Sequence, residues 1–447
     1  MSTLLAALAV LAVLAWCWTS GLALLRVAGA RPAAFETRHA LALVAGLLLG
    51  HALLLLADLA RVPWTRGTLL AGGAATLAAL AAASQVARPG AGGWGDGRRG
   101  EAARWDWADG VALMAVLVFA ASSLALRSPF PDFVYHWGLK GHRFFLARGI
   151  DAEFLARPEN GYLHPDYPNL LPDAFAAAAL LAGSFDPRAL MLFTPIVLLA
   201  LLGAVRASLR TAALSPFARR AVFAGLACAL GAFCIGYLQA GSADPLLALA
   251  VALAAGALLL PVGRPAAIQL GLAAAFGCAV KVEGLPFAAL AIVAFVARAL
   301  LRDRRALRAP TVWIALLAPP MLVSLPWWLR VRALDLFQNT NTGRLDLARL
   351  ADVLAPLWRQ TFVEEWMGLP LLLGSLPFLA LARSTRWLGF LLGGQLAFYL
   401  FVYLSAPFDP VFYVLSTFPR LALHLLPATV VGLALALAGP AGAALPD

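Results

Sequence analysis

Long apolar segments, separated by short polar ones, make up most of this chain. Each of thirteen such segments is about long enough to cross a hydrocarbon core of ~30 Å as an α-helix. One or two could be buried helices of a soluble protein, but a series along the whole chain predicts an all-α polytopic membrane protein with about 13 transmembrane helices. The predicted spans are residues 4–27, 39–60, 68–87, 108–126, 189–209, 220–237, 244–260, 266–280, 285–301, 310–329, 367–381, 387–404 and 421–438.

The arginines give these spans an orientation. They cluster in five segments between the spans, and an excess of basic residues is typical of cytoplasmic loops. All five clusters can be cytoplasmic if the short segment 168–181, which contains Pro168, Pro172 and Asp173, does not cross the membrane. We therefore expect this segment to be a juxtamembrane or re-entrant helix, whose backbone is shielded by protein and water. The predicted cytoplasmic clusters are Arg26, Arg31 and Arg38; Arg88, Arg98, Arg99 and Arg104; Arg206, Arg210, Arg219 and Arg220; residues 302–308; and Arg383 with Arg386.

A Gly-rich, charged stretch divides the chain into two parts. We predict an N-terminal module of three transmembrane helices in residues 1–87, a cytoplasmic linker in 88–107 and a transmembrane core in 108–440. The remaining polar segments of the core then emerge together on the extracytoplasmic side. These predicted outer segments are loops 127–167, 330–365 and 405–420 and turns 241–244 and 281–284.

The composition supports a membrane protein over a nucleic-acid-binding one. The chain is 62% hydrophobic and 13% charged, whereas a soluble domain carries about 25% charged residues. The net charge of +11 comes from residues that form no continuous basic face, so we expect no nucleic-acid partner. Only two of the 34 basic residues are lysines, Lys140 and Lys281, and both fall within the candidate motifs described next.

The first outer loop contains a candidate acid or base. Asp132 follows Pro131 at the predicted membrane edge and stands four residues before His136. A carboxylate is costly at this position, which favours a functional role such as proton transfer. The following stretch, from Trp137 through Lys140 and on to residue 148, is amphipathic, and we expect a helix in the plane of the interface. For its aromatic residues the favoured interpretation is an interfacial belt with snorkelling cations.

Two further motifs have both structural and functional interpretations. In the segment 164–168, which contains His164 and Tyr167, prolines predict a rigid entry into the short helix, with Asp166 as its cap. Asp244 follows a Gly-Ser turn and precedes Pro245, a pattern typical of an ordinary helix N-terminus. On sequence alone, the capping interpretation of Asp244 is favoured over a catalytic one.

Three more candidate sites lie at predicted outer ends of helices. Lys281 and Glu283 interrupt a long apolar stretch; they form either a local salt bridge in a turn or contacts with other partners. Arg330 ends a helix on the outer side, where it could bind an anion or lipid headgroups. Arg420 and His424 open the last predicted helix on one face, at a spacing of i and i+4.

Carboxylates and cations are thus expected together on the outer side. A carboxylate can activate a hydroxyl as a general base, and cations can stabilise a departing phosphate. The combination suits a negatively charged, lipid-linked substrate. The chain contains no Walker A, dinucleotide-binding, HExxH or GxSxG motif, which disfavours nucleotide hydrolysis, hydride transfer, zinc proteolysis and serine acylation.

At these residues the chain resembles the GT-C superfamily of membrane glycosyltransferases, including the protein O-mannosyltransferases and the lipid A aminoarabinose and galacturonyl transferases. The resemblance extends over roughly residues 108–440 and implies a GT-C-like core with extracytoplasmic juxtamembrane helices. The matching segments are Asp132-Phe-Val-Tyr-His-Trp-Gly-Leu-Lys140, His164-Pro-Asp-Tyr-Pro168, Gly241-Ser-Ala-Asp244, Lys281-Val-Glu-Gly284, Pro326-Trp-Trp-Leu-Arg330 and Arg420-Leu-Ala-Leu-His-Leu-Leu-Pro427.

The resemblance implies transfer of a sugar from a polyprenyl-phosphate-linked donor to an acceptor hydroxyl on a lipid, glycan or protein. Asp132 would be the catalytic base, Asp244 a second carboxylate of the site, and Lys281 and Arg420 ligands of the donor phosphate. No cofactor or metal is expected, the partners are the donor and membrane lipids, and the expected location is a bacterial inner membrane with the site facing outward. The candidate substrate-binding residues are His136, Lys140, His164, Tyr167, Lys281, Glu283, Arg330, Arg420 and His424.

Two alternatives remain at this stage. A transporter or lipid flippase would have symmetry-related halves and charged residues near mid-membrane, and the chain shows no repeat of fixed period. An inactive scaffold that retains the fold is the second alternative, because a fold does not specify a function.

Overall fold

The computed structural model describes residues 3–30, 34–86, 105–126, 129–233, 235–336, 344–362 and 368–439. Within these ranges the chain is helical and contains no strand, as predicted. Most of the predicted linker lies outside the described residues. So do parts of the predicted outer loops and the first residue of one predicted span, at positions 127–128, 337–343 and 363–367.

The helices follow the predicted order along the chain. We number them α1 (Thr3–Val27), α2 (Phe35–Leu59), α3 (Arg66–Val86), α4 (Trp107–Ala125), α5 (Gly138–Ala147), α6 (Ala152–Ala156), α7 (Leu170–Ala182), α8 (Pro187–Leu190), α9 (Phe193–Leu209), α10 (Pro216–Cys228), α11 (Ile235–Leu238), α12 (Asp244–Leu259), α13 (Arg264–Val280), α14 (Gly284–Arg302), α15 (Pro310–Ala333), α16 (Leu350–Phe362), α17 (Gly368–Leu381), α18 (Arg386–Ser405) and α19 (Pro410–Ala438).

Nine helical stretches of the described residues are long and apolar enough to cross a membrane. Four shorter apolar helices, α7, α12, α13 and the second part of α17, accompany them. The chain therefore has the architecture of a multi-pass membrane protein. The nine stretches are α1, α2, residues 66–85 of α3, α4, α8 with α9, α14, α15, α18 and α19.

Some of the predicted boundaries were wrong. The span predicted at 220–237 is a broken element, in which α10 passes into a π-helical turn, Ala229–Phe233, before α11. The outer loop predicted at 405–420 is much shorter, because α19 already begins at Pro410, where Asp409 caps it by accepting a hydrogen bond from the Phe412 amide at 2.7 Å. The last helix therefore carries polar groups well inside its first turns.

The short segment 168–181 forms α7, a helix of 13 residues that is buried on nearly all sides. Asp166 does not cap it, which corrects that prediction: the N-cap is Asn169, and no side chain caps the helix. On one side Phe175 of α7 contacts Phe133, with ring centroids 5.4 Å apart. This helix separates the first outer loop from the N-terminal helices.

The first two helices pack closely against each other and against the core. A Cβ atom on Gly21 would lie 1.8 Å from the Ala42 carbonyl oxygen, and one on Gly46 would lie 1.7 Å from that of Cys17, so only glycine permits this approach. At one end of α2, Glu36 forms a salt bridge of 2.6 Å with Arg210. The N-terminal helices are thus held to the core by polar as well as apolar contacts.

One face of helix α5 is buried inside the protein. Trp137, Lys140 and Phe144 are all buried, and Lys140 is fully inaccessible. The Lys140 ammonium donates a hydrogen bond of 3.0 Å to the His164 carbonyl oxygen and lies 5.2 Å from the Trp137 ring centroid. Lys140 therefore faces protein instead of lipid headgroups, and the aromatic-belt interpretation was wrong for Trp137 and Phe144, whereas Leu146 and Arg148 at the end of the segment are exposed.

Candidate functional site

Arg420 joins the two predicted carboxylates into one network. Its guanidinium donates to both oxygens of Asp132, at 2.9 Å from Nη1 to Oδ1 and in a second, shorter bond from Nη2 to Oδ2. Its Nε and Nη2 atoms also donate to Oδ2 of Asp244, at 2.9 and 2.6 Å. Fork-shaped bonding of this kind is a property of arginine that lysine cannot reproduce.

Asp244 is the centre of this network and does not act as a helix cap. Its Oδ1 accepts hydrogen bonds from Lys281 Nζ at 3.0 Å and from His424 Nε2 at 2.9 Å, in addition to those from Arg420. The side chain is 1% exposed, and α12 has Ala243 as its N-cap without a side-chain hydrogen bond. The favoured capping interpretation of Asp244 was therefore wrong. A buried carboxylate that accepts from three side chains is held rigidly in place.

The elements that carry the network converge because the chain reverses at this end of the helices. Asp244 begins α12, Lys281 follows the end of α13, and Arg420 and His424 share one face of α19. The turn before α12 needs glycine: Gly241 has a φ of +81°, and a Cβ there would lie 2.5 Å from the Phe133 ring. Since Phe133 is next to Asp132, this close contact fixes the position of the first loop relative to α12.

Glu283 and two side chains of α18, Gln395 and Tyr399, adjoin the network. Lys281 lies 3.4 Å from Glu283 as well as 3.0 Å from Asp244, so the turn salt bridge and a longer-range contact are both present. Gln395 on α18 donates to the Glu283 carbonyl oxygen at 3.2 Å. His424 is positioned through its second ring nitrogen, which lies 3.1 Å from the Tyr399 hydroxyl.

A second group of predicted residues adjoins the network. The rings of His136 and His164 lie 4.9 Å apart, and those of His164 and Tyr167 lie 4.5 Å apart. Lys140 joins this group through its hydrogen bond to the His164 carbonyl oxygen. His164 adopts a left-handed backbone conformation with a φ of +50°, which is costly for a non-glycine residue and is maintained here by the surrounding contacts.

Burial shifts the pKa values of this second group towards neutral side chains. Burial lowers the pKa of Lys140 to about 7, although Asp166 and Asp173 oppose the shift. Burial likewise lowers the pKa of His136 to about 4, with Asp132 opposing, and raises the pKa of Asp166 to about 6. Burial thus disfavours the charged forms of these neighbouring groups, whereas the carboxylates and cations around Arg420 stabilise one another by direct pairing.

Arg330 does not join the network. It forms a salt bridge with Asp58 at the end of α2, and Asp58 also accepts a hydrogen bond of 2.8 Å from the Ile150 amide. In the same region His51 Nδ1 lies 2.6 Å from Asp173 Oδ2, with both side chains buried. Asp58 and His51 were not among the predicted site residues; their only signal in the sequence is that each is a polar residue within an otherwise apolar segment.

The arrangement contains no obvious metal centre. No group of three or more His, Cys, Asp and Glu side chains in the described ranges has the geometry of a metal site. Asp132 and Asp244 are instead paired with the cations Arg420 and Lys281, and the His424 imidazole donates a further hydrogen bond to Asp244.

Comparisons with known proteins give no independent assignment. No protein-family model, no curated protein and no solved structure matches this chain. The chemistry must therefore be inferred from the site itself. The site offers two carboxylates, Asp132 and Asp244, that both bond to the Arg420 guanidinium. A lysine ammonium also bonds to Asp244, and an imidazole is held in place by a tyrosine hydroxyl.

Proposed function

We propose that this protein is a glycosyltransferase that moves a sugar from a polyprenyl-phosphate-linked donor to an acceptor hydroxyl on the extracytoplasmic side of a membrane. The observation that carries the proposal is the bridge from Arg420 to both Asp132 and Asp244. This bridge brings a carboxylate that can act as a base, Asp132, next to a cation that can bind phosphate, Arg420, as the resemblance to GT-C enzymes implies. The multi-pass architecture supplies the surroundings that a lipid-linked donor needs.

In the proposed reaction the donor phosphate competes with Asp132 for Arg420. A phosphate oxygen takes the place of the Asp132 carboxylate on the guanidinium, to which both kinds of anion bind in the same fork geometry. The carboxylate released in this way accepts the proton of the acceptor hydroxyl. The acceptor oxygen then forms a bond to the anomeric carbon, and the bond between that carbon and the phosphate oxygen breaks.

The departing polyprenyl phosphate receives the electron pair of the broken bond. Arg420 and Lys281 stabilise its negative charge, since both are held in position before the reaction by Asp244. Asp244 has a positioning role in this account: it is bonded to three side chains and is too buried to meet the acceptor. His136, with its pKa lowered by burial to about 4, is neutral at physiological pH and can donate or accept a hydrogen bond near the acceptor.

The Asp132→Asn variant tests the proposal. The amide keeps the size of the side chain but cannot accept the proton, so we expect at least a hundredfold loss of transfer, within the range of 10²–10⁴ that general bases contribute. The measurement is liquid chromatography with mass spectrometry of polyprenyl phosphate released from a panel of polyprenyl-phosphate sugars, with the protein in membranes whose lipids and glycans supply acceptor hydroxyls.

Asp409→Asn is the matched control. Asp409 is an exposed carboxylate that caps α19, and asparagine caps helices equally well, so this variant should release polyprenyl phosphate at the wild-type rate. Equal rates for wild type and Asp132→Asn would overturn the role of Asp132. Movement of an intact polyprenyl-phosphate sugar across the membrane, without cleavage, would instead support the flippase alternative.

A further inference from the structure

The N-terminal helices enclose a cavity that the proposed function does not use. It has a volume of about 540 Å³, within the ~300–1,000 Å³ that is typical of ligand sites. It lies between α1, α2, α3 and α7, and α7 separates it from the loop that carries Asp132. Its walls are formed mainly by apolar side chains, among them Leu47, Leu54, Leu69, Leu77 and Leu170.

The cavity opens towards the surface that lipid would cover. Helix α3 forms one wall of the cavity and is long and apolar enough to span a membrane. No residue of its most apolar stretch is buried inside the protein. Leu70 and Gly72 of α3 and Ala12 of α1 line the cavity and are also exposed at the surface of the protein. A hydrocarbon chain can therefore enter from the side, between α1 and α3.

The polar side chains of the walls are already satisfied, with one exception. The indole nitrogens of Trp16 and Trp64 donate to the carbonyl oxygens of Gly73 and Leu54, at 3.1 and 3.2 Å. The Thr68 hydroxyl donates to a backbone carbonyl at 2.9 Å. These walls are thus effectively apolar, and apolar cavities of this kind do not hold water well.

His51 is the exception. Its Nδ1 lies 2.6 Å from Asp173 Oδ2; an ionised Asp173 can only accept, and in that state Nδ1 carries the proton. In the neutral ring Nε2 then has a lone pair, and Nε2 is buried with no hydrogen-bond partner among the residues that the structure describes. A buried acceptor without a partner is costly, so an occupant that donates a hydrogen bond to it would bind preferentially.

We propose that this cavity binds the hydrocarbon chain of a membrane lipid that carries a hydroxyl group, and that the hydroxyl donates a hydrogen bond to Nε2 of His51. The apolar walls provide the affinity for the chain, and His51 provides the selection for the hydroxyl. The site is formed largely by residues 1–87, outside the region that resembles glycosyltransferases, and does not depend on the proposed transfer reaction.

Photolabelling tests this proposal. The protein, in phosphatidylcholine nanodiscs, is exposed to a long-chain fatty alcohol bearing a diazirine, to a prenol bearing the same group, and to an alkane of equal length that lacks the hydroxyl. Labelled peptides are identified by mass spectrometry. We expect labelling by one of the alcohols in α1, α2, α3 and α7, about three- to tenfold stronger than by the alkane, as one net hydrogen bond predicts; which alcohol labels better identifies the chain type.

Gly72→Leu provides the matched test of location. A Cβ at Gly72 meets no atom within 4 Å, so leucine fills space in the cavity without a clash, and labelling of its walls should fall. Gly374→Leu adds the same side chain at an equally open, exposed position of α17 and should leave labelling unchanged.

Two results would overturn the proposal. Labelling spread evenly over all lipid-facing helices, and unaffected by Gly72→Leu, would show that the cavity is not a binding site. Equal labelling by alcohol and alkane in the wild-type protein would remove the role of His51, independently of how well any variant folds.

Discussion

The pairing of Asp244 with Lys281 should have a large and measurable coupling energy. Removing one partner of a buried ion pair typically costs ~3–5 kcal/mol. Asp244→Ala leaves Arg420 with Asp132 and Lys281 with Glu283, so we expect a cost near the lower limit, about 3 kcal/mol. Lys281→Met leaves Asp244 with Arg420 and His424, so about 2 kcal/mol is expected, as for one hydrogen bond between charged groups.

The double variant should cost less than the sum of the two single variants. Once Asp244 is absent, Lys281 has lost its better partner, so its removal adds little, and the coupling should be about 2 kcal/mol, close to the whole cost of Lys281→Met. Equilibrium unfolding of the purified protein in mixed micelles, titrated with sodium dodecyl sulfate and followed by circular dichroism, gives the four free energies of the cycle.

The exposed ion pair of Glu153 and Arg157 is the control for this cycle. Its two charged groups are 2.7 Å apart but lie in solvent, where such pairs contribute little, so a cycle on this pair should show no measurable coupling. If the Asp244 cycle gave a coupling no larger than this control, the network would not be held together as the distances indicate.

Two further predictions concern pH and helix packing. The pKa of Lys140 is about 7 in the folded protein and has its ordinary, higher value in the unfolded chain, so the unfolded chain binds more protons between these two pH values. The stability of the wild type relative to Lys140→Met, measured by thermal unfolding, should therefore rise as pH increases from about 7 towards 10. A flat or falling difference would contradict the burial of an ammonium there. Gly46→Ala should lower the unfolding temperature, since its Cβ would lie 1.7 Å from the Cys17 carbonyl oxygen. The control Gly374→Ala places a Cβ with no atom within 4 Å and should lower the unfolding temperature little or not at all. Equal effects of the two variants would refute the close approach of α1 and α2.

Much of the fold and part of the site could be predicted from hydropathy and loop charge. These signals give the order of the helices and the end of each helix at which polar residues gather. That is why Asp132, Asp244, Lys281, Arg420 and His424 could be expected together, and the structure does bring them into one network. The catalytic and binding roles of these residues remain predictions.

The positions of helices around the bundle could not be predicted in this way. Arg330 lies in the last turn of α15 but pairs with Asp58 at the end of α2, a residue 272 positions away, instead of joining the network around Arg420. Hydropathy reports how deep a residue lies and not which neighbour it faces.

An amphipathic pattern was equally ambiguous. The charged side of the segment around Lys140 could face lipid headgroups or a polar protein interior, and both give the same spacing of residues. The structure buries Lys140 completely because the backbone of His164 supplies a hydrogen-bond acceptor, and this contact joins two segments that the sequence presents as separate motifs.

The central claim is that the network around Arg420 receives a lipid-linked phosphate, and binding measured by native mass spectrometry tests it most directly. The purified protein is titrated with a polyprenyl phosphate and, separately, with the polyprenol of the same length. We expect the phosphate to bind at least tenfold more tightly in the wild type, and this preference to shrink in Lys281→Met, because one of the two cations that would hold the phosphate is gone. Equal affinities of the wild type for the phosphate and the alcohol would contradict the account.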